Sequence, residues 1–541
     1  MNNMTISWFT ITTGTALFLL GIQLMTNSSL SLFQDRFRYY IDRYTNTLFK
    51  GFLVGMIMTA LIHSSSAVII AIIALVKTKL LDNKRAAAII IGANVGTTFT
   101  VLLFSLDLGK FIPYFLTCAA LIPFVIKKKE YYDLASIAVG LGLMQLGIAY
   151  VSDHLQALSS IQLLHNVSEF LGSFSPAALL SGIVVSVLTR SSDAAIGLLE
   201  LFYEGGLISF LAAIPFLFGA NIGTCFQVFF AFDHSDSSSR QAAAFHLLFN
   251  IAGAALGMAL MGLIDRLGLL STLSLRMQIA IIHILFNAVM ALIMLPLIDP
   301  VCDWLQRIVK GKEEERINLD EQETENLQLP AVCLSVAYHN LSNIIEMLKS
   351  NVALTRDYVV KGGAETVVEQ IHKSKKKILS YDLALQRYLV RIPGHSLSNQ
   401  AVNAQTFYLG TCRNLERIVD LNCNVADFVR MIRAEDEKDF SPAALKEIDN
   451  MYNMFFLTLD KALQFHKSWD MKYYKETIEL EDRTDAMESA YRHNHIYRLR
   501  NNECASISGA AIYSDILSCL ERMNDHCCII AHNALDRMQK I

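Results

Sequence analysis

Two stretches of this chain repeat one another at a fixed distance, and that repeat limits the fold more than any other feature. "GMIMTALIHSSSAVIIAII", beginning at Gly55, aligns with "GIVVSVLTRSSDAAIGLLE", beginning at Gly182, an offset of 127 residues (182 − 55). The same offset carries "GANVGTTF" at Gly92 onto "GANIGTCF" at Gly219. Membrane composition alone would not hold two motifs in one register. Each repeat opens with an apolar segment broken near its centre by hydroxyl residues. In the first, the flanks 51–62 and 67–76 are each about 18 Å long as helix, against a hydrocarbon core of about 30 Å. A re-entrant hairpin with Ser64, Ser65 and Ser66 at its tip fits that length better than two spans. Unwound backbone at such depth is tolerated only where it is buried in protein or lines a cavity. The Gly-Ala-Asn-x-Gly-Thr stretches are expected to break the following helices for the same reason.

Composition divides the chain. Of 541 residues, 53% are hydrophobic and only 18% charged, and the charges are uneven. Long apolar runs fill Met1 to about Pro300, and Lys, Arg, Asp and Glu become frequent from Val309. The expected organisation is a membrane domain over 1–305 with repeats at about 51–151 and 178–298. A charged linker follows over 306–330, then a water-soluble domain over 331–541. A net charge of −4 gives no electrostatic basis for nucleic-acid binding. The ten cysteines include no Cys-x-x-Cys pair, which argues against a disulfide framework or a zinc site. The apolar run Phe9–Met25 lacks a basic n-region and reads as a retained span, not a cleaved signal.

Charge placement sets the direction of the repeats. Lys77, Lys79, Lys84 and Arg85 follow the first hairpin, while the equivalent place in the second holds Glu200 and Glu204. The positive-inside rule puts the first of these loops in the cytoplasm and the second outside. Spans expected near 86–104, 111–126 and 132–151 are odd in number, so the second repeat is inverted, and Lys127–Lys129 fall inside. Further spans near 208–231, 241–264 and 275–298 deliver Arg307, Lys310 and the C-terminal domain to the cytoplasm, with the N-terminus outside. Inverted repeats whose broken helices meet at mid-bilayer are the build of secondary transporters. The fold class expected is therefore all-α: a polytopic membrane protein with two inverted repeats and re-entrant hairpins, followed by a cytoplasmic helical bundle.

These motifs resemble the sodium-dependent phosphate cotransporter family, whose two inverted repeats each carry a Gln-Ser-Ser-Ser motif followed by Gly-Ala-Asn-Ile-Gly-Thr-Thr. Here they stand as "HSSSA" at His63–Ala67, "GANVGTT" at Gly92–Thr98, "RSSDA" at Arg190–Ala194 and "GANIGTC" at Gly219–Cys225. "AAAFHLLFNIAG" from Ala242 and "IIHILFNAV" from Ile281 extend the likeness over about 50–300. The resemblance implies a bacterial inner-membrane symporter that moves inorganic phosphate with Na⁺ as coupling ion. Its substrate and ion site would comprise His63, Ser64, Ser65, Ser66, Asn94, Thr97, Thr98, Arg190, Ser191, Ser192, Asp193, Asn221 and Thr224. Hydroxyls and helix N-terminal N–H groups suit an oxyanion, while hydroxyl and carbonyl oxygens suit a hard cation. Packing of small residues between helices is the competing account of the same side chains. The pairs His246/Asn250 and His283/Asn287 read as interhelix hydrogen-bonding groups and not as substrate ligands.

The chain also departs from the family pattern. Both glutamines are replaced, by His63 and Arg190, and the last serine of the second motif is Asp193. Arg190 could fork onto two oxyanion oxygens, and Asp193 could hold a cation. Alternatively the two form an ion pair that offsets its own burial.

Beyond Pro330 the pattern gives six amphipathic helices, near 331–358, 364–391, 397–433, 442–467, 470–498 and 508–540. "NLERIVDLNCNVA" at Asn414 and "CLERMNDHCCIIA" at Cys519 repeat at an offset of 105 (519 − 414), which suggests two three-helix units. This part resembles PhoU, including "DAMESAYRHNHIYRLRNNECASISG" from Asp485. The motif Glu-x-x-x-Asp occurs as Glu416/Asp420 and Glu521/Asp525. Carboxylates at i, i+4 repel and need a cation or an arginine; the resemblance implies a divalent metal or iron, and neighbouring Arg417 and Arg522 are the alternative. No Walker motif and no nucleophile–base pair stand out, so neither ATP drive nor an enzyme is expected. Three functions stay open: the sodium–phosphate symporter with a regulatory tail that meets a cytoplasmic partner, a membrane phosphate sensor without transport, and a carrier of another small oxyanion with altered sodium coupling.

Overall fold

The computed structural model describes residues 8–106, 109–158, 162–232, 236–267, 270, 272–310, 330–392, 399–435, 440–505 and 507–539. Most of the expected linker, 311–329, lies outside them. The described residues are helical and contain no strand. Contacts divide the chain into two compact units, Met1–Val332 and Cys333–Ile541.

In the first unit each hairpin is built by one cap geometry used twice. Helix α2 (Leu48–Ile62) ends where His63 turns left-handed at φ 57°, its N–H still bonded to Thr59 O. Ser64 is then extended, and its hydroxyl accepts the Ala67 N–H at 3.3 Å to start α3 (Ser65–Lys77). In the second repeat α8 (Ser175–Thr189) ends at left-handed Arg190, φ 55°. Ser191 caps the Ala194 N–H at 3.2 Å and begins α9 (Ser192–Glu204). A side chain at positive φ is strained, so both tips hold an unusual backbone at the aligned residue. Limbs of 15 and 13 residues in each hairpin reach only about 20 Å. The hairpin reading is correct.

The expected helix breaks are not. Helices α4 (Asn83–Ser105) and α10 (Phe210–Ala231) run unbroken through both Gly-Ala-Asn motifs. Their glycines serve close packing instead. A Cβ on Gly92 would lie 2.0 Å from Phe52 O, and one on Gly219 2.0 Å from Leu179 O. The approach is reciprocal: Gly55 and Gly182 would place a Cβ 2.1 Å from Ile89 O and Phe216 O. Small residues four apart thus bring α2 against α4 and α8 against α10, backbone to backbone.

Hydrogen bonds fix which helix ends lie together. Asn83 at the start of α4 donates to Gln241 near the start of α11 (Ser237–Leu267), and Gln241 donates to Val309 O just past α13 (Ile298–Ile308). Lys84 pairs with Asp299 at 2.8 Å at this same end. At the other end Arg276, in the first turn of α12 (Leu275–Met294), pairs with Glu204 of α9, and Ser152 late in α6 (Lys129–Leu158) donates to Glu204. The α3–α4 and α9–α10 turns are therefore at opposite ends, and the repeats are inverted. Helix α1 (Trp8–Tyr44) lies antiparallel to α6, with Gly14 on Gly147 and Ser31 bonded to Asp133. It starts at the Glu204 end. Among the described residues six helices are long and apolar enough to cross a membrane: α1, α4, α6, α10, α11 and α12. The span expected at 111–126 is only a 14-residue helix, α5 (Ile112–Val125). With its flanks it still returns the chain from the end of α4 to the start of α6. Helix α7 (Gln162–Ser173) meets α8 at a bend of 112°.

The second unit holds six helices close to the expected positions: α14 (Pro330–Lys361), α15 (Thr366–Arg391), α16 (Asn399–Glu435), α17 (Pro442–Ser468), α18 (Met471–Arg500) and α19 (Ile507–Gln539). Ser441 caps α17 with Pro442 at its first position, and left-handed Trp469 ends it. A buried polar ladder ties the first three: Asn422 donates to Asn351 Oδ1 and Thr355 Oγ1, and Asn351 donates to Ile371 O. Helices α16 and α19, which carry the 105-residue repeat, pack together.

Candidate functional site

The two repeats exchange contacts. Helix α3 packs on α10 and α11, and α9 packs on α4 and α12. The second limb of each hairpin therefore meets the motif helix of the other repeat. His63 is part-buried with Nδ1 3.2 Å from Thr100 Oγ1, and its carbonyl accepts from Thr26 of α1. Ser64 and Ser191 are caps; Ser65 and Ser192 are buried in the first turns of α3 and α9, beside Ser66 and Asp193. First-turn N–H groups have no intrahelical acceptor, so both tips present donors with the positive end of a helix dipole.

The motif helices contribute a different chemistry. The hydroxyls of Thr97, Thr98 and Thr224 donate back to Ala93 O, Val95 O and Asn221 O. Their donors are spent and their lone pairs remain, which suits cation ligands. Asn94 donates to Ile90 O and accepts from Asn250 of α11 at 3.2 Å, an interhelix bond as expected. His246 contacts Cys225 Sγ at 3.5 Å, while Asn287 donates to His283 O in its own helix. Asn221 Nδ2 is buried without a hydrogen-bond partner. Two hydroxyls absent from the expected set behave likewise: Thr59 Oγ1 and Ser186 Oγ are buried and unpartnered, one turn before the left-handed caps. They align at the same offset of 127 (186 − 59), so the signal was present in the repeat.

Arg190 and Asp193 do not pair. Arg190 is exposed at the tip, whereas Asp193 is 3% exposed inside the first turn of α9, with Oδ1 unpartnered. The left-handed cap turns the arginine away from the helix face on which the aspartate lies. Glu200, read above as a loop charge, also departs from expectation: it lies within α9 and is 1% exposed.

In the second unit the two acidic motifs differ. Asp420 pairs with Lys375 of α15 at 2.7 Å, a lysine outside the expected set, which balances one carboxylate of the first motif. Glu416 borders a cavity of about 630 Å³ shared with Arg413, Arg417 and Arg537. Glu521 and Asp525 instead face Asp485 of α18, with one carboxylate oxygen of each within 4.8 Å of the others. Burial, then repulsion from Asp525, Asp485 and Glu488, pushes the Glu521 carboxyl up to about 7, and Asp525 is raised by burial and then by Glu481 and Asp485.

Inverted re-entrant hairpins over polar, small-residue helices define a multi-pass membrane protein of the secondary-carrier class. The chain belongs to the Na⁺/Pi-cotransporter family, whose sequence profile matches residues 17–153 and 146–295. A PhoU domain matches 448–534, the α17–α19 unit. The chain is 23% identical over 528 residues to "Putative inorganic phosphate export protein YjbB" of Escherichia coli (strain K12), covering 96% of each. It is equally similar, over 530 residues, to the protein of that name from Salmonella typhimurium. It is 29% identical over 282 residues to "Uncharacterized protein YqeW" of Bacillus subtilis, covering 52% of this chain and 91% of that one. No solved structure matches the chain.

Proposed function

We propose that the first unit carries inorganic phosphate across the bacterial inner membrane in symport with sodium, at a site formed by the two hairpin tips and the motif helices behind them. The duplicated cap geometry carries this reading: at each tip a serine-capped helix N-terminus offers unspent N–H donors, backed by hydroxyl lone pairs. His63, Ser64, Ser65, Ser66, Arg190, Ser191 and Ser192 would meet phosphate, with the free Asn221 amide, Thr59 and Ser186. Asp193, Asn94, Thr97, Thr98 and Thr224 would meet the cation. The end bearing Lys79, Lys84, Arg85 and Lys127–Lys129 would face the cytoplasm and the Glu204 end outside. Export is the direction favoured by the naming of the two full-length relatives. Counterflow of labelled phosphate in proteoliposomes, with and without sodium, tests the reading; movement of another oxyanion in preference to phosphate would replace the substrate. Exposed Arg190 would supply a fixed positive charge in place of one sodium. Arg190→Gln is then expected to steepen the sodium dependence of phosphate flux, and an unchanged sodium titration would refute that role.

For the C-terminal unit we propose a regulatory bundle in which Asp485, Glu521 and Asp525 would hold one hard divalent cation through oxygen ligands. Without a cation, the folded cluster retains protons that the unfolded chain releases above the ordinary carboxylate range. Its stability is therefore expected to fall as pH rises from about 4.5 to about 7. Added Mn²⁺ should raise the melting temperature at pH 8 in the wild type and not in Glu521→Gln/Asp525→Asn. An equal rise in both would remove the site.

A further inference from the structure

Glu200 is a buried carboxylate of the membrane unit that lies outside the hairpin tips. It is 1% exposed, and neither carboxylate oxygen has a hydrogen-bond partner. A carboxylate in that state is costly in a membrane protein and is a functional group by default. The first repeat places Ile73 at the aligned position (200 − 127), so the fold itself does not require an acid there.

The charges around it do not balance. Arg276 of α12 and Glu204, one turn on in α9, are the charged groups that act on it. Arg276 is already committed to Glu204, through Nε at 2.8 Å and Nη2 at 2.9 Å. Two carboxylates share one guanidinium, which leaves one negative charge uncompensated. Both acids also lie toward the C-terminal end of α9, where the helix dipole disfavours an anion. Among the described residues, the neighbouring helices supply no further cation at this end. Helix α12 adds His283, α10 only Cys225, and α8 no ionisable residue between its ends; α6 has Tyr150, Asp153 and His154 on its last turns, and α4 has Lys84 and Arg85 at the opposite end. Tyr203 is bonded to Gln278.

A metal ion would need several oxygen ligands around it, and among the described residues neither Glu200 oxygen has a hydrogen-bond partner. A proton needs none. We propose that Glu200 is a proton-binding site of the carrier, loaded from water as an O–H on one carboxylate oxygen and released to water during the transport cycle. Substrate movement would then be linked to the proton gradient. The inference rests on the carrier reading above, but concerns an additional coupling ion.

The test uses the full chain in proteoliposomes, wild type against Glu200→Gln, which keeps shape and removes the titration. A one-unit pH gradient should shift the steady-state phosphate ratio by up to about tenfold in the wild type, and not at all in Glu200→Gln, with phosphate exchange retained. An equal pH response in both overturns the proposal. Infrared spectra of the same samples should show the carbonyl stretch of a protonated, non-hydrogen-bonded carboxylic acid that disappears in Glu200→Gln; its persistence also overturns it. If no phosphate moves but this band titrates, the phosphate reading fails and the proton site stands. Should Glu200→Gln not fold, Glu200→Asp replaces it, and a band at unchanged frequency and midpoint counts against Glu200.

Discussion

Alanine at Gly92 or Gly219 is expected to destabilise the membrane unit by about 3 kcal/mol, the upper end of the usual overpacking cost, and to abolish phosphate flux. A Cβ at either position would fall 2.0 Å from a backbone carbonyl oxygen of the first hairpin limb. No rotamer change relieves that contact, because the obstructing atom is main chain. The helices must separate, and α2 or α8 would carry the tip away from its motif helix. The reciprocal positions, Gly55 and Gly182, meet carbonyls at 2.1 Å and should respond alike. Gly262 is the control: no atom lies within 4 Å of its Cβ position, and alanine there should gain helix propensity, about 1 kcal/mol. Thermal melts of purified protein in detergent read both effects. A Gly219→Ala protein that melts with the wild type would mean the repeats are not packed through their glycines.

Those glycines also mark what the sequence could tell. The offset of 127 located both hairpins and the serines at their tips, because one duplicated register constrains many residues at once, while the inversion came from the charges and the span count. It could not say whether Gly-Ala-Asn-x-Gly bends its own helix or admits a neighbour, since glycine serves both uses. Thr59 and Ser186 were equally visible in the alignment but sit a turn away from the motif cores. Glu200 was misread because "LLELFYEGG" at a segment end resembles a loop entry. Its burial depends on helices packed around α9, among them α12, which lies more than seventy residues further along. The unequal fates of the two acidic motifs are tertiary as well. Lys375 belongs to α15 and Asp485 to α18, and no local pattern pairs either with its partner. In each case the residue type was legible while the opposing surface was not.

Glu447→Ala is expected to cost the C-terminal unit about 3–5 kcal/mol, as removal of one partner from a buried ion pair typically does. Glu447 of α17 accepts Arg498 Nη1 at 3.1 Å and Nη2 at 2.7 Å, Asn494 Nδ2 at 2.8 Å, and the Tyr513 hydroxyl. One carboxylate thereby ties α17 to α18 and α19. Arg498 is 7% exposed and stacks 5.2 Å from the Tyr513 ring centre, so without Glu447 its charge stays buried with no anion. Burial alone would raise the Glu447 carboxyl. The bonds from Arg498, Tyr513 and Asn494 outweigh it and hold the group below its ordinary value. This contribution is present above the unfolded carboxylate range and is lost as pH falls through the depressed folded value, opposite in sign to the Asp485–Glu521–Asp525 cluster. The Glu447→Ala penalty should therefore be full at pH 7 and shrink in acid. Replacing both partners, as Glu447→Leu with Arg498→Met, should restore most of the lost stability, because two apolar side chains leave no unpaired charge. Hydrogen exchange across α17–α19 in the full chain distinguishes the outcomes. Equal protection in wild type and Glu447→Ala would show that the three helices hold together without this pair.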